Sequence, residues 1–201
     1  MTKPTRETST DYRHPYRPPP VAALNRVAAM LGRDEGRLDA EELVRGAEKS
    51  AGLSDFGPEF DITPLEKLCE SVANEAHLTP VGLAITRGRL AAILVNRLRA
   101  EELFKQHPEI LALEPVAPVV IAGLGTTNLH RLLSADPRLR ALSSYEVLDP
   151  VPPSELRQKL LRRDPRLLQA KLAERALSYL APDFFAIHPV EAESPEEEVM
   201  L

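Results

Sequence analysis

The stretch at 117–134 reads Ala-Pro-Val-Val-Ile-Ala-Gly-Leu-Gly-Thr-Thr-Asn-Leu-His-Arg-Leu-Leu-Ser. Val119, Val120 and Ile121 form an uninterrupted β-branched run, which predicts a short strand buried on both faces. Gly123 and Gly125 then supply a turn, and Thr126 and Thr127 supply two hydroxyls. Leu129, Leu132 and Leu133 recur at helical spacing and predict a helix over 125–134. A strand, a glycine turn, hydroxyls and a helix, in that order, aim unpaired backbone N–H groups and a helix N-terminus at an anion, usually a phosphate.

Downstream, Ala135-Asp136-Pro137 makes a turn, and residues 139–144 read as a weak second strand ending at Tyr145-Glu146. A helix between two strands is a βαβ unit, hence a parallel pair with a right-handed crossover. Pro150, Pro152 and Pro153 break the chain before a helix capped by Ser154. Another helix begins at Asp164-Pro165 and carries Leu168, Leu172, Ala176 and Leu180. Phe184, Phe185 and Ile187 form an apolar knot ahead of His188-Pro189, and Ser194-Pro195-Glu196-Glu197 opens one more helix. Two strands cannot make a parallel sheet covered on both faces, so the expectation is the front part of a larger fold.

Upstream the chain reads as helical. Residues 1–20 are polar and proline-rich and predict a mobile or docking arm. Leu24, Val27, Ala28 and Leu31 mark a first amphipathic helix. Asp39 with Glu42 makes a capping box for a second, and Thr63-Pro64 with Glu66 does the same for a third, which is expected to bury Leu65, Leu68, Cys69, Val72 and Ala76. Thr79-Pro80 opens the longest helix, running to about Gln106, with Leu90, Leu94 and Leu98 on its inner face and Ile93 beside them. Its arginines, Arg87, Arg89, Arg97 and Arg99, read either as a solvated face or as a groove for an anionic substrate. The organisation expected is an arm at 1–20, a helical region at 21–115 and an α/β region at 116–201.

Bulk properties exclude several function classes. The 201 residues, 43% hydrophobic and 27% charged, suit a globular protein, and a net charge of −5 argues against nucleic-acid binding. Cys69 is the one cysteine, which excludes an internal disulfide and favours a cytoplasmic setting; on an apolar helix face it reads as a core residue rather than a reactive thiol. No apolar run reaches the roughly 20 residues of a membrane span. Five histidines, His14, His77, His107, His130 and His188, lie scattered without metal-ligand spacing, so no metal is expected. A nucleotide kinase or NTPase loop needs G-x-x-x-x-G-K-[ST], and this loop holds no lysine.

Residues 119–137 resemble the phosphosulfate loop of the bacterial sulfotransferase family, whose pattern reads G-x-P-R-[ST]-G-T-T-x-L-h-x-L-L-a-x-D-P. The flanks are similar as well. Tyr145-Glu146 with Pro150 and Pro152-Pro153 resembles the family's aromatic-Glu and P-x-P-P segment, and His188-Pro189 with Glu193-Ser194-Pro195-Glu196-Glu197 its H-P and E-x-P-E-E segment. Thr79-Pro80-Val81-Gly82 and the end of the long helix at His107-Pro108-Glu109-Ile110 extend the likeness over nearly all of residues 20–201.

The resemblance implies an α/β fold in which a helical N-terminal region precedes the first βαβ unit of a P-loop-like parallel sheet. It implies a transferase that moves a sulfuryl group from 3′-phosphoadenosine 5′-phosphosulfate (PAPS) to a hydroxyl on a small molecule or lipid. Gly123, Leu124, Gly125, Thr126, Thr127 and Asn128 would hold the donor's 5′-phosphate. Glu146 would take the acceptor's proton, with the alternative that it caps something nearby. His188 is a second catalytic candidate, or simply part of a His-Pro turn. In one respect the loop departs from the pattern: between Leu124 and Gly125 the family's P-R-[ST] is missing, and with it the basic residue expected to neutralise the bridging oxygen. The family's Arg and Ser for the 3′-phosphate belong to a C-terminal half beyond these residues. The alternative reading is a catalytically inactive relative or fragment whose helices act as an interaction module.

Overall fold

The structure is a computed structural model that describes residues 16–31, 37–114, 126–153, 164–182, 184 and 190–195. The chain divides into two units, Pro18–Leu113 and one built on Glu114–Leu201.

The first unit is four helices and a 3₁₀ turn: α1 (Pro19–Met30), α2 (Ala40–Ala51), α3 (Thr63–Glu75), α4 (Pro80–Gln106) and the turn Pro108–Ala112. Prolines open α1, α3 and α4, where a missing N–H is no loss because the first helical donors have no partner anyway. The remaining donors are met by side chains. Asp39 accepts the Glu42 N–H at 2.7 Å and Thr79 that of Gly82 at 3.2 Å, as their spacing predicts. At α3 the polar cap lies earlier than expected, for Thr63 is already helical and Asp61 accepts its N–H at 2.9 Å. Gly52 ends α2 in the left-handed region, where the absence of a Cβ removes the penalty.

The core lies where α2 meets α4. Leu43 and Ala47 pack with Leu94 and Leu98, and Leu38, Phe56 and Cys69 close the cluster. Leu90 and Val95 flank it, while Ile93 and Leu68 stand exposed, so the inner stripe of α4 is as expected but α3 buries only Cys69 fully. Phe56 and Phe60 stack with centroids 4.4 Å apart. Val81 donates its N–H to Asn25 at 3.0 Å, which ties α1 to the start of α4.

The second unit contains α5 (Thr126–Ser134), α6 (Ser144–Leu148) and α7 (Pro165–Leu180). Among its described residues those buried are Ser144 and Val147 of α6, Ala170 of α7, and Val190 and Ala192 of the segment that follows.

The expected βαβ unit is corrected here. Residues 139–142 form no strand, and where the strand should end the chain has turned into α6. The one strand-like feature among the described residues is an isolated antiparallel bridge between Ser143 and Pro195. Leu139 and Leu142 are three apart and would face opposite sides of a strand; no described strand offers them a ladder, and both stay about half exposed. The deciding residues are Ser143 and Glu146, which form a capping box that starts a helix. The described residues are therefore helical rather than α/β. The first expected strand (119–122), the helix after Ser154, most of the apolar knot and all but the first two residues of the helix expected to open at Ser194-Pro195 lie outside them, and Pro195 itself pairs with Ser143.

Leu98 has no exposed surface, and it sits at the centre of the α2–α4 contact. Truncation to Leu98→Ala is expected to destabilise the first unit by about 2–5 kcal/mol, measured as a shift in the urea midpoint with unchanged slope. A loss within experimental error of zero would show that this contact does not hold the unit together.

Candidate functional site

Thr126, Thr127 and Asn128 form the first turn of the nine-residue α5, which carries no acidic residue there. The N–H groups of such a turn lack intrahelical acceptors and sit at the positive end of the helix dipole, so this turn suits an anion. Asn128 is exposed and Thr127 half-buried. Gly123, Leu124 and Gly125, the other donor-loop candidates, lie outside the described residues.

Glu146 occupies the third helical position of α6, and both its oxygens are engaged. Oε2 accepts the Ser143 N–H at 3.0 Å, and Oε1 accepts from the Arg140 guanidinium at 2.9 Å. The Glu146 side chain is 17% exposed and that of Arg140 70%, so the ion pair sits at the surface with the carboxylate on its inner side. His188 lies outside the described residues, two positions before Val190.

Two groups not singled out from the sequence hold α6 in place. Arg166 donates to the Asp149 carbonyl at 2.7 Å and lies over the Tyr145 ring, 5.4 Å from its centroid. It also forks onto Asp164, with Nε at 3.1 Å and Nη2 at 2.7 Å from Oδ2. Those hydrogen bonds hold the Asp164 carboxyl below the usual carboxylate range, against the opposing effect of burial. The second group is Glu174, which accepts the Ala192 N–H at 2.9 Å. The order Asp164-Pro165-Arg166 does signal a helix start, but nothing local signals that its arginine reaches Asp149.

Two of the arginines on α4 brace the helix against its own unit. Arg87 pairs with Glu42 at 3.0 Å and donates to the Arg37 carbonyl, while Arg97 donates to the Phe56 carbonyl at 2.7 Å and covers the Phe60 ring. Burial pushes the Cys69 thiol up, as for a core residue. Among the described residues no group of His, Cys, Asp or Glu is arranged to hold a metal, and no helix is long and apolar enough to cross a membrane.

No protein-family model matches this chain, and no curated relative matches it. Two solved structures do. Sulfotransferase STF1 from Mycobacterium tuberculosis H37Rv superposes with a TM-score of 0.60 at 28% identity, over 82% of this chain and 46% of that one. Sulfotransferase STF9 from Mycobacterium avium does so with a TM-score of 0.63 at 25% identity, over 80% of this chain and 42% of that one. The fold is sulfotransferase-like, and the chain spans less than half the length of either neighbour.

Because the folded-state pKa of Asp164 is depressed, its contribution to stability is present above the ordinary carboxylate range and is lost as pH falls through the folded value. Asp164→Asn is therefore expected to lower the Tm of the second unit at about pH 7 and to differ less and less from wild type as the pH falls below the ordinary carboxylate range. A Tm difference that is constant across this range would refute the assignment.

Proposed function

We propose that this chain carries the donor-binding part of a sulfotransferase that moves a sulfuryl group from PAPS to a hydroxyl on a small-molecule or lipid acceptor. The observation that supports this reading most is the likeness to two sulfotransferases over four-fifths of the chain. When bound, PAPS supplies the sulfuryl group. The N–H groups opening α5, with the Thr126 and Thr127 hydroxyls and the turn at Gly123, Leu124 and Gly125, hold its 5′-phosphate. Asn128 closes the same turn. Glu146 would take the proton of the acceptor hydroxyl as that oxygen bonds to sulfur and the bond from sulfur to the donor's phosphate oxygen breaks, with 3′-phosphoadenosine 5′-phosphate leaving; its Oε1 would exchange Arg140 for the acceptor. His188 is the second candidate for that proton.

A specific observation favours the other reading, an inactive relative that serves as a helical interaction module. The loop has no cation between Leu124 and Gly125, and both oxygens of Glu146 already accept hydrogen bonds. Binding and transfer separate the two. By calorimetry, the chain is expected to bind 3′-phosphoadenosine 5′-phosphate more weakly than micromolar; micromolar affinity would show that the short loop is no defect. Inserting Pro-Arg-Thr between Leu124 and Gly125 should tighten binding by about tenfold or more, the effect of one charge-assisted hydrogen bond. If that insertion, in a chain extended to the length of the solved sulfotransferases, transfers no sulfate from PAPS to any hydroxyl acceptor, the sulfotransferase reading fails.

A further inference from the structure

The five-residue α6 is too short to hold itself, yet it carries Glu146 and two of the buried residues of its unit. Its first donors are satisfied from outside the helix. Ser144 donates its N–H to the Ser194 carbonyl at 2.9 Å, and Tyr145 donates to the Ala192 carbonyl at 3.1 Å. Residues 190–195 thus form a strap across the start of α6, with its own Val190 and Ala192 buried.

What fixes the strap is α7. Glu174 accepts the Ala192 N–H at 2.9 Å, on the same residue whose carbonyl receives Tyr145. One turn earlier on α7, Lys171 pairs with Glu193 at 2.7 Å, but both side chains are well exposed, so this pair adds little. The strap closes on itself through Ser194, whose N–H and hydroxyl both donate to Glu191. Two hydrogen bonds therefore link the Glu174 carboxylate, through the N–H and the carbonyl of Ala192, to the Tyr145 N–H, one residue from Glu146.

We propose that Glu174 is a positioning residue. Through Ala192 it sets where α6 starts, and so where the Glu146 carboxylate lies, while Arg166 holds the other end of the same helix at Asp149. The strap begins two residues after His188, so Glu174 also anchors the chain that leaves the second catalytic candidate. This role rests on the reading of Glu146 as the base; the hydrogen-bond chain itself does not.

The test is amide hydrogen exchange on the whole chain, comparing wild type with Glu174→Ala and Glu174→Gln. Glutamine keeps a carbonyl oxygen for Ala192. With alanine, exchange is expected to rise by about tenfold or more at Ala192, Ser144 and Tyr145, and with glutamine protection should largely return. Amides of α4 should not change. Unchanged exchange at Ser144 and Tyr145 in Glu174→Ala overturns the proposal. So does an equal rise throughout α7, which would make Glu174 a general fold residue. In a chain that transfers sulfate, Glu174→Ala should lower kcat and leave the KM for PAPS unaltered, and an unaltered kcat also overturns it. An extended chain with the Pro-Arg-Thr insertion that transfers none defeats the proposed function while leaving the exchange result to decide the positioning role.

Discussion

Each described helix of this protein begins with backbone N–H groups that have no acceptor within the helix, and the rest of the structure depends on what meets them. Nineteen prolines cut the chain into short pieces, so helix starts are frequent and their donors are a large fraction of each element. Proline in the first turn deletes two donors at α1 and one each at α3, α4 and α7. The donors that remain fall mostly to carboxylates: Asp39 at α2, Asp61 at α3, Glu146 at α6 and Asp164 at α7. An anionic acceptor at this end of a helix gains both a charge-assisted hydrogen bond and the favourable dipole.

That constraint bears on chemistry, because a carboxylate that caps a helix is also fixed in space. At Glu146 the two oxygens are not equivalent. The bond to the Ser143 N–H is part of the helix start, and losing such a cap costs about 1 kcal/mol or more. The pair with Arg140 is solvent-facing, with the arginine 70% exposed, and exposed pairs contribute only about 0.2–1 kcal/mol. Oε1 is therefore the oxygen that can change partners, and Oε2 the one that holds the side chain still. Capping and proton transfer, alternatives from the sequence alone, are compatible on one residue.

How far the sequence could be read follows from how local each signal was. Asp39 with Glu42, Thr79-Pro80 and Asp164-Pro165 lie within one turn of the donors they satisfy, and all three helices start at those residues or the next. The same Leu90, Leu94 and Leu98 periodicity placed the inner face of α4. Residues 139–144 read as a weak strand, but the Ser143–Glu146 box, at the same spacing as the boxes read elsewhere, makes a helix start of their end. Arg97, Arg166 and Glu174 were out of reach for a different reason. Their partners lie 41, 17 and 18 residues away, and a charged side chain carries no local mark of the carbonyl or amide it will find. Leu68 shows the reverse limit, an apolar residue at core spacing on a helix whose contact with the core is narrow.

In the proposed reaction the short loop divides binding from transfer. The first turn of α5 offers several N–H groups and a dipole equivalent to about half a positive charge, which is enough to orient a phosphate. Transfer asks for more, since charge builds on the bridging oxygen as the bond to sulfur breaks, and that oxygen needs a full cation close by. No cationic residue lies between Gly123 and Asn128, and the first one after it, Arg131, comes at the sixth position of the helix, beyond the turn that faces the anion. Phosphate recognition can thus survive in this chain on backbone groups alone while stabilisation of the leaving group does not, and a cation from outside these residues is what the chemistry would still require.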